Sequence, residues 1–150
     1  MSDVLLSSFH FLLSFLLVAV LAAQYALIRP GMTASGLRPV AHLDRIYGIS
    51  AVLLLGVGLA RVFWGAKGSS FYLSNPIFWT KIVLFATIAG LSIPPTLQLI
   101  RWMKQTVLEK DFLPPTEQII CIQRWLRAET AVLLMIPFLT AAMARGNGLS

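Results

Sequence analysis

Charge is scarce in this sequence. Only 12% of its 150 residues are Asp, Glu, Lys or Arg, where a soluble domain carries roughly 25%. A water-soluble globule of this length would need more polar surface than these residues supply, so that class is excluded. Cysteine is scarcer still. The lone Cys121 rules out an internal disulfide, a Cys-x-x-Cys redox pair and a c-type haem attachment, and reads as a small packing residue. Histidine occurs twice, as His10 and His42. Metal-ligand clusters, Gly-rich phosphate loops and a Ser/His/Asp set at one depth are all missing, which leaves hydrolytic and nucleotide chemistry without support. No internal repeat or low-complexity segment is evident.

Apolar residues make up 57% of the chain, and they fall into blocks near the length that spans a bilayer, about 20 residues at 1.5 Å rise each. Four blocks predict four helices in a single transmembrane domain over residues 1–150, at about 4–28, 43–64, 76–102 and 117–143. The first opens behind Met-Ser-Asp, without the positive charge of a secretory signal, and reads as an uncleaved span. Arg29-Pro30-Gly31 closes it, because proline cannot continue a helix. The second has a short apolar centre, Ile46 to Ala60, so Arg45 and Arg61 must snorkel to opposite interfaces. Asn75-Pro76 is a helix start, with asparagine as cap and proline in the first turn. The fourth block, opening at Thr116-Glu117, overshoots the hydrocarbon core, so its first turns should project into the cytoplasm.

The net charge of +6 would point to nucleic acid in a soluble protein. Here the basic residues flank apolar blocks and set orientation instead. Arg29, Arg38 and Arg45 flank the first connection, and Arg101, Lys104, Lys110, Arg124 and Arg127 the third. Arg61, Lys67, Lys81 and Arg145 lie opposite. The heavier side goes inside. The expectation is an all-α, up-down four-helix bundle in the bacterial inner membrane, N-out and C-out, with the bilayer as its surroundings and a homo-oligomer or membrane complex open to it. Gly48, Gly56 and Ala60 form a small-residue stripe that would let backbones approach. Phe63, Trp64, Phe71, Tyr72, Phe78 and Trp79 gather as an interfacial aromatic belt.

Five basic or potentially basic residues share the expected outer shelf. His10 lies about 9 Å along its helix from Val4, and Lys81 about 7.5 Å along its own from Pro76. Arg61 is at similar height, with Lys67 and Arg145 just above. Snorkelling to lipid phosphates explains Lys81 and Arg61 on one reading. On the other, the shelf binds an anion, since intramembrane ionisable groups are costly and often functional. Ser7, His10 and Ser14 share one helix face, so a neutral His10 there is a candidate axial ligand for a haem iron, with Arg61, Lys67 or Lys81 on the propionates. His42 is a full membrane away, which disfavours bis-histidine ligation within one subunit. At the inner end, Glu129 lies near the height of Arg45 and Arg101, and a structural ion pair with either is expected over a proton relay. Pro94-Pro95 free two backbone carbonyls and predict a kink, with Ser92 and Thr96 available to re-satisfy them.

These residues also carry a resemblance. Asp44-Arg-Ile-Tyr-Gly48, Arg61-Val-Phe-Trp-Gly-Ala-Lys-Gly68, Tyr72-Leu-Ser-Asn-Pro-Ile-Phe-Trp-Thr-Lys81, Leu91-Ser-Ile-Pro-Pro-Thr96 and Met143-Ala-Arg-Gly146 resemble domain-of-unknown-function family 2214, a set of small bacterial membrane proteins. The likeness implies a four-helix fold and brings no activity with it. More distantly, the layout is similar to a group holding copper-resistance membrane proteins and the four-helix protoporphyrinogen oxidase, which would imply a tetrapyrrole or redox role centred on His10. Two functions therefore stand side by side. One is a protein holding an anionic cofactor, such as haem or another tetrapyrrole, at its periplasmic side. The other is a cofactor-free accessory or structural subunit.

Overall fold

The computed structural model describes residues 2–64, 68–109 and 111–145, and within them it is all-helical. Five helices follow in order: α1 Ser2–Leu27, α2 Ala34–Trp64, α3 Gly68–Leu73, α4 Pro76–Leu108 and α5 Thr116–Ala144. Among the described residues α1 (from Val4), α2 and α4 are long and apolar enough to cross a membrane. Helix α5 is as long as the others but falls short of that measure. Its first half carries Glu117, Arg124, Arg127 and Glu129, which dilute the apolar run.

The chain reverses direction at each connection between long helices. His10 meets Gly58 while Gln24 meets Asp44, so α1 and α2 run antiparallel. Trp102 meets Gln118, so α4 and α5 do as well. Helix α1 packs on α2 and α5, and α4 packs on α5 and, more sparsely, on α2. One end of the molecule, the terminal end, therefore holds the start of α1, the end of α5 and the short α3. The other, the loop end, holds the α1–α2 and α4–α5 connections.

Local chemistry accounts for the boundaries. Arg29 to Met32 form a turn closed by the Met32 N–H on the Arg29 carbonyl at 3.2 Å, with Pro30 and then Gly31 at φ +80°. Proline presets the first central position of such a turn, and glycine accepts the left-handed second one. Asn75 caps α4 by accepting from the Ile77 N–H at 2.9 Å. Two helices run further than their hydropathy suggests. Helix α2 starts at Ala34 rather than near Leu43, passing through Pro39, because Leu37 and Val40 (each 0% exposed) anchor the extra turns in the core. Helix α4 continues past Trp102 to Leu108 because Met103, Lys104 and Gln105 are good helix formers that need no hydrocarbon around them. The stretch between α2 and α4 contains the six-residue α3.

Burial is unevenly spread. Leu17, Leu21 and Ile28 of α1 and its end, Leu37 and Val40 of α2, Leu99 and Trp102 of α4, and Ile119, Ile122 and Leu126 of α5 form the core. These lie in the loop-end half or at its edge, while Leu54, Ile88 and Leu133 extend the core past the middle and Val62 is buried near the terminal end. Towards the terminal end Val4, Phe9, Phe11, Leu12, Phe63, Trp64 and Phe138 are exposed, as lipid-facing residues are. The small-residue stripe does not mediate a helix contact: Gly48 and Gly56 are exposed, and a methyl group added to either would meet nothing within 4 Å. Close approach occurs at Gly58 instead.

Candidate functional site

Two polar groupings interrupt the apolar interior. At the terminal end, His10 of α1 lies over Gly58 of α2. Its Cε1 is 3.5 Å, and its Nδ1 3.8 Å, from where a Cβ on Gly58 would stand. A methyl group there would be in ordinary van der Waals contact with the ring. The charges of Arg61 on α2 and Lys81 on α4 act on the same ring, so three helices contribute to one place. Among the described residues, the His10 Nδ1 and Arg61 Nε atoms are buried and have no hydrogen-bond partner. Ser14, on the same face, donates to the His10 backbone carbonyl at 2.8 Å and is thereby satisfied within its own helix.

The other expected members of this shelf stand differently. Arg145 is exposed at the end of α5, its backbone N–H shared between the Ala141 and Ala142 carbonyls, and it is not among the charges that act on His10. Lys67 lies outside the described residues, as does Lys110. His42 is exposed on the loop-end half of α2, well away from His10.

The second grouping lies in the loop-end half and draws on all four long helices. Asp44 Oδ1 accepts from Thr96 Oγ1 of α4 at 2.9 Å and, more weakly, from Gln24 Nε2 of α1 at 3.4 Å. One turn further along α2, the Tyr47 hydroxyl lies next to the Glu129 carboxyl of α5 but outside hydrogen-bonding geometry. Gln24 and Glu129 are each 1% exposed, Ser50 3% and Tyr47 5%. Tyr47 and Glu129 reach across the diagonal between two helices that make no backbone contact among the described residues.

Glu129 does not pair with an arginine. Arg45 and Arg101 are turned away from it towards the surface, and Glu129 Oε1 has no partner. Equal height along the helices suggested the pairing, but both arginines are exposed, Arg45 at the cleft between α2 and α4, while Glu129 is buried. Thr96 likewise serves Asp44 rather than the carbonyls freed by Pro94-Pro95, while Ser92 donates to the Ala89 carbonyl at 2.8 Å. The Asp44, Tyr47 and Ser50 set is not foreseen from sequence, although its i, i+3, i+6 spacing puts three polar residues on one stripe of an apolar helix.

Beside this layer, α2 and α4 part to leave a cleft of about 810 Å³. Its walls are apolar, among them Leu17, Val52, Phe85 and Ile88, and Asp44, Tyr47, Ser92 and Thr96 give it a polar floor. Arg45 and Lys104 also line it. Among the described residues no group of three or more His, Cys, Asp or Glu side chains is placed to hold a metal ion.

A family model described as a predicted membrane protein, DUF2214, matches residues 2–148. No curated protein and no solved structure matches the chain, so the further likeness to copper-resistance proteins and protoporphyrinogen oxidase is not shown. Nearly the whole chain, including both polar groupings and the cleft, lies within the family match, and the protein belongs to the DUF2214 family of predicted membrane proteins.

Proposed function

We propose that this is a multi-pass protein of the bacterial inner membrane, a four-helix bundle with α5 as its fourth span, and that it holds a small anionic group at its terminal end. Both termini lie outside the cytoplasm in this reading. Arg29, Arg38, Arg45, Arg101, Lys104, Arg124 and Arg127 all belong to the loop-end half, and such a bias in Lys and Arg faces the cytoplasm. The charges of α5 are compatible with a span, because Arg124 and Arg127 are exposed near its loop-end start while Glu129 is shielded by its neighbours.

One observation carries the anion site: two polar atoms from different helices, His10 Nδ1 and Arg61 Nε, are buried at the same place without partners. Buried polar groups left unsatisfied are rare and costly. A carboxylate or phosphate oxygen would accept from the guanidinium in a charge-assisted bond and sit in the field of Lys81. A tetrapyrrole fits these residues poorly. It would find no second histidine, since the other one, His42, lies on the loop-end half of α2.

The test is thermal melting of the full-length protein in mild detergent, in phosphate, acetate and chloride at equal ionic strength. Phosphate or acetate should raise the melting temperature over chloride, and Arg61→Gln should remove the difference. Equal melting in all three salts would leave the cofactor-free accessory subunit as the better reading. An absorption spectrum of the same preparation addresses haem directly, and a Soret band lost in His10→Ala would restore the tetrapyrrole.

A further inference from the structure

The cleft between α2 and α4 has a charge pattern that its surroundings leave unused. Asp44 spends one oxygen, Oδ1, on both of its hydrogen bonds. Its other oxygen has no partner, and it is not among the buried unpartnered atoms, so it is open to the cleft that Asp44 lines. Arg45 and Lys104 line the same cleft, and among the described residues neither forms an ion pair with Asp44. Two positive groups and one carboxylate oxygen thus stand around one opening without neutralising each other.

Their depth is that of a headgroup. Arg45 to Trp64 is about 29 Å of helix, close to the roughly 30 Å of a hydrocarbon core. With Trp64 in the aromatic belt at one interface, Asp44 and Arg45 fall at the other. The apolar part of the cleft runs from there towards the bilayer centre, past Val52, Phe85 and Ile88. An occupant that fits both parts has an acyl chain, a phosphate and a cationic group beyond it.

We propose that this cleft is a binding site for a phospholipid whose headgroup carries both a phosphate and a primary ammonium. Arg45 and Lys104 take the phosphate, the free oxygen of Asp44 takes the ammonium, and the acyl chain lies against Phe85 and Ile88. Thr96 and Gln24 hold the carboxylate in place by occupying its other oxygen. An ordinary annular lipid would need none of this, because apolar walls alone retain acyl chains without regard to headgroup. This site is at the opposite end from His10 and stands independently of the anion site.

The full-length protein is reconstituted with an equimolar mixture of phosphatidylethanolamine, phosphatidylglycerol and phosphatidylcholine, and lipids retained after gentle extraction are counted by native mass spectrometry. Wild type should retain phosphatidylethanolamine about ten-fold over phosphatidylglycerol, the worth of one charge-assisted contact. Phosphatidylcholine, whose quaternary ammonium has no N–H, should be retained less than phosphatidylethanolamine. Asp44→Asn should bring phosphatidylethanolamine and phosphatidylglycerol to parity, and Arg45→Gln with Lys104→Gln should reduce both. Retention in the bulk ratio by wild type, or a preference for phosphatidylglycerol untouched by Asp44→Asn, overturns the proposal. The headgroup series on wild type decides the matter even where Asp44→Asn fails to fold, since it needs no substitution.

Discussion

At the loop end, polar side chains are spent on one another. Gln118 Oε1 accepts from both Gln98 Nε2 at 2.8 Å and Trp102 Nε1 at 2.9 Å, tying α4 to α5. Gln123 Nε2 donates to the Ile28 carbonyl at 2.7 Å, tying α5 to the end of α1. Thr96 joins α4 to α2 through Asp44. At the terminal end, bonds such as Trp79 Nε1 to the Leu73 carbonyl at 3.0 Å and the Asn75 cap stay local, and the aromatic rings of the belt meet edge to face. One half is knit across helices around a core. The other has few bonds between helices; buried atoms without partners occur in both, the Tyr47 hydroxyl and Glu129 Oε1 in the first and His10 Nδ1 and Arg61 Nε in the second. Most of the stability is accordingly expected to reside at the loop end and anion binding at the terminal end, and the following substitutions test that division.

The largest effect belongs to Trp102, which is fully buried and bonded across to α5. Trp102→Ala should cost about 3–5 kcal/mol, as large-to-small core changes do, and should lower the melting temperature in detergent strongly. Trp79, half-exposed in the belt at 52%, is its counterpart at the terminal end, and Trp79→Ala should change melting far less. Comparable losses from both would erase the contrast between the two halves.

Next comes Glu129. Breaking a buried ion pair by removing one partner costs about 3–5 kcal/mol, which is what a Glu129–arginine bridge would predict for Glu129→Gln. With no arginine at its side and Oε1 unpartnered, the expected cost is instead under about 1 kcal/mol, since the amide keeps the shape and no ion pair is broken. Arg45→Gln and Arg101→Gln should leave the melting temperature unchanged. A steep loss from Glu129→Gln matched by a similar loss from either arginine would reinstate the bridge.

The helices themselves are legible in the sequence because their causes are local. Arg29-Pro30-Gly31 cannot propagate a helix, and Asn75-Pro76 starts one, wherever the rest of the chain goes. Height along a helix is legible too: counting 1.5 Å per residue brings His10, Arg61 and Lys81 to one level. Rotation about the axis is not. Arg45 is adjacent to Asp44 in sequence yet turned by about 100° on a 3.6-residue helix, enough to leave one exposed and set the other against Thr96. The same blind spot hides the contact between Tyr47 and Glu129, and it favours Gly56 over Gly58 as the close-approach glycine. Nor does hydropathy foresee that α2 begins at Ala34, because the extra turns are held by two core residues rather than by a long apolar run.

The smallest effect is expected at Gly58, and it measures how tightly the terminal end is packed. A Cβ there would meet His10 Cε1 at 3.5 Å, an ordinary van der Waals separation, and the imidazole can shift towards the less crowded terminal end. Gly58→Ala also gains helix propensity, worth about 1 kcal/mol at most in an exposed helix interior and less where packing decides. The net change should therefore be near zero or slightly stabilising. Gly58→Val places methyl groups into the ring, and overpacking of that kind costs about 1–3 kcal/mol where neighbours cannot yield. If the terminal end is as loosely held as its burial pattern indicates, Gly58→Val should fall at the low end of that range. The displaced ring should then weaken the phosphate-dependent rise in melting temperature more than it weakens the fold. A large loss already at Gly58→Ala would mean that α1 and α2 grip each other as firmly beside His10 as they do beside Gln24, and the division between a stabilising end and a binding end would have to be abandoned.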